Sequence, residues 1–542
     1  MRPVHSLVLA AVAAAASAQP SALSLPEVDS AQGCRAATAL LSKASGESAD
    51  SRRLSPGRRQ LFLDNHILEG LTNVTRTLHQ PVKHGPVIRP DRAWEGESIQ
   101  IRTGPSWNPA EKIWMMWYLR GYAASRDGEH WEKPMLGLRD YKGSRENNLM
   151  LPFTDYEFTD PSGKRILRQN GDGTTVDNVF YDAKDPDPAR RYKGMGYKGP
   201  ICCLTGGHGM GFYPAVSPDG KQWSLLDSAF VQTGDESHLI HDEERNLYVA
   251  TVKQAGPYGR SVYLAVSSDF SHWTDPRECL VFHADKRDQD LGAERVRMHL
   301  RNPQMRQPVF HNPAEYLTDI YNLAVVPYEG LYIGMPTVFN HSGNTAYNSD
   351  GFSMVELAVS RDLIRWERVG NRTKFIPLSP VGSGKNYDVA QLLAGDRPII
   401  TDNEIWIYYT GLKWRSRPDD AKPDPEGTGA ICLAKLRRDG FVSLDAGDRP
   451  GEVLTKEFLF AGQSLHVNVD AGKGELRVEV QDGTTGKVLS GFAEKDATVV
   501  TGDRLDAAVT WRGASVASLT GRTLRLRLLL RNAALYSLWA GS

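Results

Sequence analysis

Short apolar runs separated by turn residues dominate the hydrophobic pattern of this 542-residue chain and predict an all-β protein. Five of these runs are rich in aromatic and β-branched residues, which favour strands. They occupy residues 113–118, 192–197, 247–252, 331–335 and 405–409. Another apolar run precedes each of them, at residues 99–104, 179–182, 238–241, 321–326 and 389–393. The pattern therefore predicts five pairs of neighbouring strands.

A Ser-x-Asp-x-x-x-Trp repeat follows the strand pairs. Its copies begin at Ser125, Ser217, Ser267 and Ser360, and a degenerate fifth copy covers residues 435–441. Because Ser and Asp side chains can bond the turn backbone, each copy predicts a hairpin whose Trp begins the next strand. Five recurrences of this unit predict five four-stranded sheets. Radial repetition of such sheets is a five-bladed β-propeller, which we expect over residues 59–445.

The two ends of the chain follow different patterns. Residues 446–542 contain strictly alternating segments, such as 465–469 and 524–528, and predict a C-terminal β-sandwich domain. Residues 19–58 are rich in Ser, Ala and Arg without periodicity, and we expect a disordered linker or pro-segment there.

The first 18 residues have a basic residue, an apolar core and a small-residue cleavage site, which predicts a secretory signal peptide over residues 1–18. No later stretch reaches the roughly 20 apolar residues of a membrane span. We therefore expect a secreted, extracellular protein. Sequons at Asn73, Asn340 and Asn371 would make it a glycoprotein in a eukaryotic secretory pathway.

Charge and cysteine content narrow the function. The chain has 64 basic and 65 acidic residues, so its net charge of −1 gives no electrostatic case for nucleic acid or an anionic membrane. We expect a monomer without a nucleic-acid partner and without membrane insertion. Five cysteines are too few for a disulfide scaffold, and their odd number leaves at least one thiol unpaired or intermolecular.

Acidic residues stand at or just before the first strand of every predicted blade. They are Glu97, Asp177, Asp235, Glu236, Asp319 and Asp388. Because the first strand of each blade lines the axis, these acids would converge on one end of one axial funnel. Crowded like charges are unfavourable unless a cation or a catalytic function offsets them. The acids therefore indicate a catalytic or metal-binding site, and the alternative is that they are turn residues only. Bound Ca²⁺ is compatible with such oxygen ligands, but we expect no required cofactor.

A second group of residues follows from the antiparallel second strand, whose end lies beside the start of the first. Basic residues stand just past those ends, followed in one blade by an aromatic residue and another base: Arg120, Lys198, Lys253, His341, Lys413, Trp414 and Arg415. These residues either neutralise the acids or hold an anionic group such as a uronate, sulfate or phosphate. Tyr118 and Tyr197 are suited to stacking on sugar rings.

The signal peptide, the five-bladed propeller with axial carboxylates and the C-terminal β-sandwich resemble the invertase, levansucrase and arabinanase superfamily, glycoside hydrolase families 32 and 43. The resemblance covers roughly residues 59–542. It implies three acids from inner strands of different blades: a nucleophile or base, a transition-state stabiliser and a general acid. The first blade offers Glu97 where that superfamily has Asp followed by Pro, and Asp64 is a poorer-placed substitute.

Glycoside cleavage needs one protonated and one ionised carboxyl group. We expect Glu97 to be the base or nucleophile and Glu236 the general acid, with Asp319 as the alternative acid. Asp177 or Asp235 would stabilise positive charge on the sugar, and Asp319 and Asp388 would contact hydroxyls. The predicted function is a secreted glycoside hydrolase acting on an extracellular oligo- or polysaccharide. The alternatives are a non-catalytic carbohydrate-binding or adhesion propeller and a glycoside phosphorylase or transglycosidase.

Overall fold

Five antiparallel sheets follow one another along the chain and form the expected β-propeller. The computed structural model describes residues 34–44, 52–119, 121–150, 156–159, 165–168, 175–197, 211–226, 230–345, 348–382, 386–418 and 420–542. Arg120, Lys198 and the signal peptide lie outside these residues, and Tyr197 is described only in its backbone. The five-bladed prediction is confirmed by the pairing of the strands.

The strand bounds define each blade. Blade 1 has Ser106–Asn108, Ile113–Tyr118 and Gly121–Ser125. Blade 2 has Thr175–Tyr181, Tyr192–Tyr197, Gly211–Ser217 and Ser224–Leu225, with Val231–Gln232 at its edge. Blade 3 has His238–Asp242, Leu247–Gly256, Gly259–Ser267 and Leu280–Phe282. Blade 4 has Leu317–Tyr328, Leu331–Asn344, Ala358–Ser360 and Glu367–Arg368, with Ser349–Val355 paired to its second strand.

Blade 5 closes the ring with a strand from the beginning of the chain. Its strands are Gln391–Ala394, Glu404–Leu412 and Gly429–Arg437, with Ile399–Ile400 beside the second, and the outermost strand is Val82–Ile88. The degenerate fifth repeat therefore does not supply a fourth strand. Its turn leads instead into Val442–Ala446, which belongs to the C-terminal sheet.

Blade 1 differs from the expected pattern at its inner edge. Residues 99–104 do not form the predicted strand, and the inner strand is Ser106–Asn108. The reason lies in their backbone partners. The Ile99 amide donates to the Gly429 carbonyl at 3.2 Å, and the Ile101 amide donates to the Thr410 hydroxyl at 2.9 Å. This segment is therefore bonded to blade 5 as well as to blade 1, where the Leu119 amide donates to the Gln100 carbonyl at 2.8 Å, and we call residues 99–104 the axial segment of blade 1.

The four complete repeats form one kind of turn. In the first copy, the Ser125 hydroxyl accepts from the Gly128 amide at 2.8 Å, and Asp127 accepts from the amides of residues 129 and 130. The fourth residue is left-handed in every copy: Gly128, Gly220, Phe270 and Leu363 have φ between 65° and 80°. The expected hairpin chemistry is therefore present in each blade that carries the repeat.

Tyrosines at the start of second strands bond back to the preceding blade. The Tyr248 hydroxyl donates to Asp182 at 2.5 Å, and the Tyr332 hydroxyl donates to Asp242 at 2.5 Å. Both aspartates are nearly fully buried at the ends of inner strands. These bonds fix the angle between neighbouring blades and hence the positions of the inner strands.

An eleven-stranded sheet folds around one apolar core and forms the second domain, a β-sandwich. Its strands are Arg53–Leu54, Gln60–Leu61, Leu68–Thr72, Thr75–Leu78, Val442–Ala446, Gly451–Thr455, Phe458–Phe460, Ser464–Asp482, Val500–Val509, Thr523–Arg531 and Ala533–Gly541. Residues 53–78 thus lie in this domain, although the sequence placed residues 59–78 in the propeller.

Two helices pack on the propeller. The helix Arg35–Ala44 lies within the stretch expected to be a disordered linker, and a disulfide joins Cys34 to Cys279 beside the outer strand of blade 3. Its Ala37 and Leu41 are buried in the core shared by blades 3 and 4. The helix Lys286–Arg301 covers blade 4 and begins with a capping box between Asp285 and Asp288. Short 3₁₀ turns occur at Pro188–Arg190, Pro276–Glu278, Pro313–Glu315, Val369–Arg372, Glu494–Asp496 and Val516–Leu519.

Candidate active site

Four of the six predicted acids form one cluster at the start of the inner strands of blades 2, 3 and 4. They are Asp177, Asp235, Glu236 and Asp319, and the cations in contact with or near them are Arg102, Lys253 and Arg260. We call these seven residues the acid cluster. Four carboxyl groups and three cations leave one negative charge, so a single bound proton makes the cluster neutral.

Arg102 is the centre of this cluster. It reaches across from the axial segment of blade 1, and its Nη2 and Nε atoms contact the two carboxylate oxygens of Glu236. The side chains are 5% and 8% exposed, so the pair is almost completely removed from water. Charge-assisted bidentate contacts of this kind are strong and directional. Burial raises the pKa of Glu236, and Arg102 opposes that effect.

Asp177 lies beside this pair and forms no ion pair with a cation of the described residues. The backbone bulges after it because Asn178 is left-handed, with φ 53°. The side-chain Nδ2 of Asn178 donates to Asp177 Oδ1 at 2.9 Å and to the Ser237 carbonyl at 3.0 Å, which joins blade 2 to blade 3. Burial raises the pKa of Asp177 to about 7, while Arg102 acts against that rise and Glu236 adds to it. Asp177 is therefore the acid that can hold the single proton near neutral pH.

Asp235 has the opposite environment. It forms an ion pair with Lys253, and its side chain is 32% exposed. Burial acts to raise the pKa of Asp235, but Lys253, together with Arg260 and Arg102, outweighs it and holds the pKa at about 2. The Lys253 ammonium also lies 4.0 Å from the ring centroid of Tyr321. Asp235 is thus the ionised carboxylate of the cluster that reaches the solvent.

Asp319 is fixed by groups from two blades. Its Oδ2 accepts from the Arg260 guanidinium at 2.8 Å and from the Arg260 amide at 3.2 Å, and it lies 3.2 Å from His341 Nε2. Burial acts to raise the pKa of Asp319, but Arg260 and His341 hold it well below its usual range. Burial lowers the pKa of His341, which favours a neutral imidazole near pH 7. Glycine is favoured at position 259 because its φ of 96° is strained for other residues, and a Cβ atom would come 3.0 Å from Asp319 Oδ2.

Two acids of the expected ring lie outside the cluster. Asp388 pairs with Lys83 of the closing strand at 2.6 Å and accepts from Tyr409 and Ser379 at 3.1 Å each. Its carboxylate therefore faces the blade 5 sheet instead of joining the other acids. Glu97 is 41% exposed and pairs with Arg417 at 2.5 Å on the rim. The substitute Asp64 pairs with Arg361 at 2.7 Å in a different part of the fold.

Some of the expected basic and aromatic residues lie at the acid cluster, and others contact different groups. Lys253 and His341 are part of, or touch, the acid cluster. Arg415 is next to it: its guanidinium donates to Tyr321, Asn348 and the Ser349 carbonyl at 2.9–3.4 Å. Lys413 pairs with Asp424 at 2.7 Å, and the Trp414 ring is covered by Arg306 at 4.0 Å.

Tyr118 is buried, whereas the sequence predicted an exposed ring that could stack on a sugar. Its ring is 1% exposed, and its hydroxyl donates to the buried Glu95 at 2.6 Å. Burial raises the pKa of Tyr118 well above its usual range, and Glu95 adds to that rise. No exposed face of this ring is left for a sugar.

Sequence patterns did not single out Arg102, Arg260 or Tyr321. Arg102 lies in the axial segment of blade 1, and Arg260 follows the tight hairpin at Gly259. The usable signal was position: Arg102 lies within one predicted first strand, and Tyr321 begins another. Arginine at such a position is also common on solvated surfaces, so spacing alone does not distinguish the two cases.

Within the described ranges, no group of three or more His, Cys, Asp and Glu side chains is arranged to hold a metal ion. In that same part of the chain, no helix is long and apolar enough to cross a membrane.

No protein-family profile and no curated protein matches this chain. The chain is similar to solved structures of glycoside hydrolases. One is a putative glycoside hydrolase from Bacteroides ovatus, with 12% identity, coverage of 66% of this chain and 97% of that one, and a TM-score of 0.36. A β-fructofuranosidase from Schwanniomyces occidentalis has 9% identity, coverage of 84% and 97%, and a TM-score of 0.35.

A third structure comes from glycoside hydrolase family 130 of mannoside phosphorylases, described as containing hydrolases that target β-1,2 mannosidic linkages. It has 12% identity, coverage of 66% of this chain and 93% of that one, and a TM-score of 0.33. The propeller assignment itself rests on the strand pairing described above.

Proposed function

We propose that the protein cleaves glycosidic bonds and that the acid cluster is its active site. One observation carries this proposal: two carboxyl groups around the same arginine have pKa values moved in opposite directions, Asp177 to about 7 and Asp235 to about 2. Glycoside cleavage needs such a pair, because one carboxyl group must donate a proton to the leaving oxygen while the other stays ionised.

Asp177 is the general acid in this proposal. A group whose pKa lies near the working pH is the most effective proton donor. Glu236 was the acid favoured by the sequence, but Arg102 contacts both of its oxygens, and a proton there would break one of these contacts. Glu236 instead holds Arg102 in place and adds to the raised pKa of Asp177.

Asp235 supplies the ionised carboxylate, which attacks the anomeric carbon or activates water. The Asp235 side chain is about one third exposed, so a bound sugar can reach it. Glu97 had this role in the sequence prediction. Its pairing with Arg417 on the rim supports a place at the edge of the cleft.

The substrate is proposed to be an extracellular carbohydrate that carries an anionic group. Within the described part of the chain, the Arg415 guanidinium contacts no carboxylate, and it lies beside Tyr321 at the wall of the cluster. A uronate or sulfate on the sugar would find a fixed cation there. Free phosphate would fit the same cation, which keeps phosphorolysis as the second candidate reaction.

Secretion is part of the proposal. It is supported by the signal-peptide pattern of residues 1–18 and by the Cys34–Cys279 disulfide, since disulfides persist mainly in oxidising compartments. Of the three sequons, Asn340 is fully buried, so any glycan would be attached at Asn73 or Asn371, which are exposed. Mass spectrometry of the protein from culture medium would locate the mature N-terminus.

The test is turnover of neutral, uronic and sulfated glycans by the full chain, with and without added inorganic phosphate. We expect hydrolysis, fastest on an anionic glycan, that is abolished in Asp177→Asn. Glu97→Gln is the matched control and should keep most of the activity, because Glu97 lies on the rim. Binding without turnover in the native protein would contradict the proposal and favour a carbohydrate-binding propeller. Turnover that requires phosphate would favour the phosphorylase.

A further inference from the structure

An arginine without an anionic partner lies at the end of the propeller axis opposite the acid cluster. The inner strand of blade 5, Gln391–Ala394, starts near Asp388, and Arg397 follows its other end. The Arg397 guanidinium forms no hydrogen bond and no ion pair with the described residues, and its Nε atom is buried. A buried charge without a partner is strongly unfavourable, and folded proteins seldom keep one. Arg397 therefore lacks a counter-ion.

The backbone around Arg397 is held tightly against blade 1. A Cβ atom on Gly104, the last residue of the axial segment, would come 1.9 Å from the Arg397 carbonyl oxygen, so the two backbones touch there. Two residues before Arg397, the Gly395 amide donates to the Tyr408 carbonyl at 2.9 Å. The arginine is thus fixed at the axis and does not extend from a free loop.

The guanidinium packs on an aromatic ring from another blade. Its central carbon lies 5.1 Å from the ring centroid of Phe180, which is buried near the end of the inner strand of blade 2. His241, near the end of the inner strand of blade 3, stacks on the same ring with centroids 5.6 Å apart. We call Phe180, His241 and Arg397 the far mouth of the axis. Blades 2, 3 and 5 meet in it.

His241 is a second unpartnered group at the far mouth. It is 6% exposed, and neither of its ring nitrogens has a hydrogen-bond partner among the described residues. The nearest carboxylate, that of Asp182, is 4.0 Å from Nδ1 and already contacts Tyr248 at 2.5 Å and Lys193 at 3.0 Å. Burial lowers the pKa of His241, which favours a neutral ring with one N–H donor.

The acids near Arg397 leave its charge only partly compensated. Asp396 directs Oδ2 to His238 at 3.1 Å, and its Oδ1 is buried without a partner, so it does not bond Arg397. Glu243 is exposed. Burial lowers the pKa of Arg397, and these two acids oppose that effect from beyond ion-pair distance. Guanidinium and imidazole N–H groups beside an aromatic ring form a donor set that suits an anion.

We propose that the far mouth binds one small inorganic anion, chloride in the surroundings of a secreted protein, between the Arg397 guanidinium and the N–H of His241. The ion neutralises Arg397 and links blade 5 to blade 3. It must be small, because the rings of Phe180 and His241 are buried and leave little room, while half-buried Arg397 gives access from the solvent. The inference does not depend on glycoside cleavage, because the acid cluster lies at the opposite face.

The first test is the melting temperature of the full chain as chloride replaces glutamate at constant ionic strength. An ion that binds only the folded state stabilises it with the logarithm of the ion concentration. For a protein of this size we expect about 1–2 °C for each tenfold rise in chloride above the dissociation constant. Arg397→Gln should show no such rise. A native protein without the rise, or an Arg397→Gln variant that keeps it, would overturn the inference.

The matched control is Arg245→Gln. Arg245 lies on the same face, but it is paired with Asp242 at 3.0 Å and donates to the Tyr332 hydroxyl at 3.1 Å. Its loss can lower the melting temperature, yet the chloride response should keep the native slope. A response abolished here as well would show a general salt effect. A response lost in Arg415→Gln and kept in Arg397→Gln would place the ion at the acid cluster. Either result contradicts the proposed site.

Crystals of the native protein grown in bromide keep the test decisive if Arg397→Gln folds poorly. Bromide replaces chloride and is located by its anomalous X-ray scattering, and we expect a peak in contact with the Arg397 guanidinium and the His241 ring. His241→Phe should weaken the chloride response without abolishing it. No bromide peak at the far mouth, or a His241→Phe variant with the full native response, would contradict the two-donor site. A protein with the peak but without glycosidase activity would keep this inference and lose the proposed function.

Discussion

At the scale of single residues, the account depends on how four similar acids acquire different protonation states. Lys253 keeps Asp235 ionised, and Arg260 keeps Asp319 ionised. Among the described residues, the side-chain amide of Asn178 is the one hydrogen-bond donor to Asp177, whose pKa is about 7. The difference comes from the partners, since burial acts in the same direction on all of these acids.

The stability of Asp177→Asn relative to that of the native protein should increase as the pH rises. Folded Asp177 binds its proton up to about pH 7, whereas the unfolded chain releases it near the ordinary value of 3.8. The folded state therefore binds more protons between these values, and the free energy of unfolding falls as the pH rises. The contribution lost by pH 8 is on the order of 4 kcal/mol. Thermal melts at pH 5 and pH 8 check this. A native-minus-variant difference that is equal at both pH values would contradict the raised pKa.

At the scale of strands and hairpins, the sequence predicted where acids stand but not where they point. The starts of the first strands were readable from the apolar runs, and three blades do bring acids together there. Asp388 stands at the same register, yet its carboxylate is drawn to Lys83, which comes from a strand about 300 residues earlier. No local sequence pattern predicts that Lys83 is the partner of Asp388. The arginine that joins the acids, Arg102, lies in a predicted strand whose Ile99 and Ile101 amides bond to blade 5, so strand patterning did not show which blades it would connect.

Tyr332→Phe should destabilise the propeller through the contact between blades 3 and 4. It removes the hydroxyl that donates to Asp242 at 2.5 Å and leaves a buried carboxylate oxygen with fewer donors. The expected loss is about 1–3 kcal/mol of unfolding free energy, measured by denaturant titration. Tyr263→Phe is the matched control, since its hydroxyl bonds a single carbonyl at 3.0 Å in an exposed setting. Equal losses of unfolding free energy in the two variants would show that the Tyr332–Asp242 bond between the blades does not stabilise the propeller more than an exposed bond does.

At the scale of the whole molecule, the beginning of the chain ties the parts together. A disulfide and a helix fasten residues 34–44 to blade 3, residues 53–78 add strands to the sandwich, and residues 82–88 close blade 5. The propeller and sandwich were both predicted from periodicity. The sharing of N-terminal strands was not, because pairing between distant strands leaves no local signal.

Replacing both Cys34 and Cys279 with Ser should lower the melting temperature without changing the active site. The disulfide closes a loop between residues 245 apart in sequence, and bridges over long loops commonly contribute about 2–5 kcal/mol. Calorimetry of the double variant measures the loss. Activity at 25 °C should stay near the native level, because neither cysteine contacts the acid cluster. A large loss of activity in a folded double variant would contradict this separation.

The most direct measurement of the central claim compares Asp177→Asn on two substrates with the same sugar. One carries its natural alcohol leaving group, and the other carries an activated phenolate that departs without a proton. General acid catalysis typically contributes about 10²–10⁴-fold, so kcat/KM should fall by at least that much on the natural substrate and far less on the phenolate. If both substrates lose activity equally, or if Asp319→Asn shows this pattern and Asp177→Asn does not, Asp177 is not the general acid.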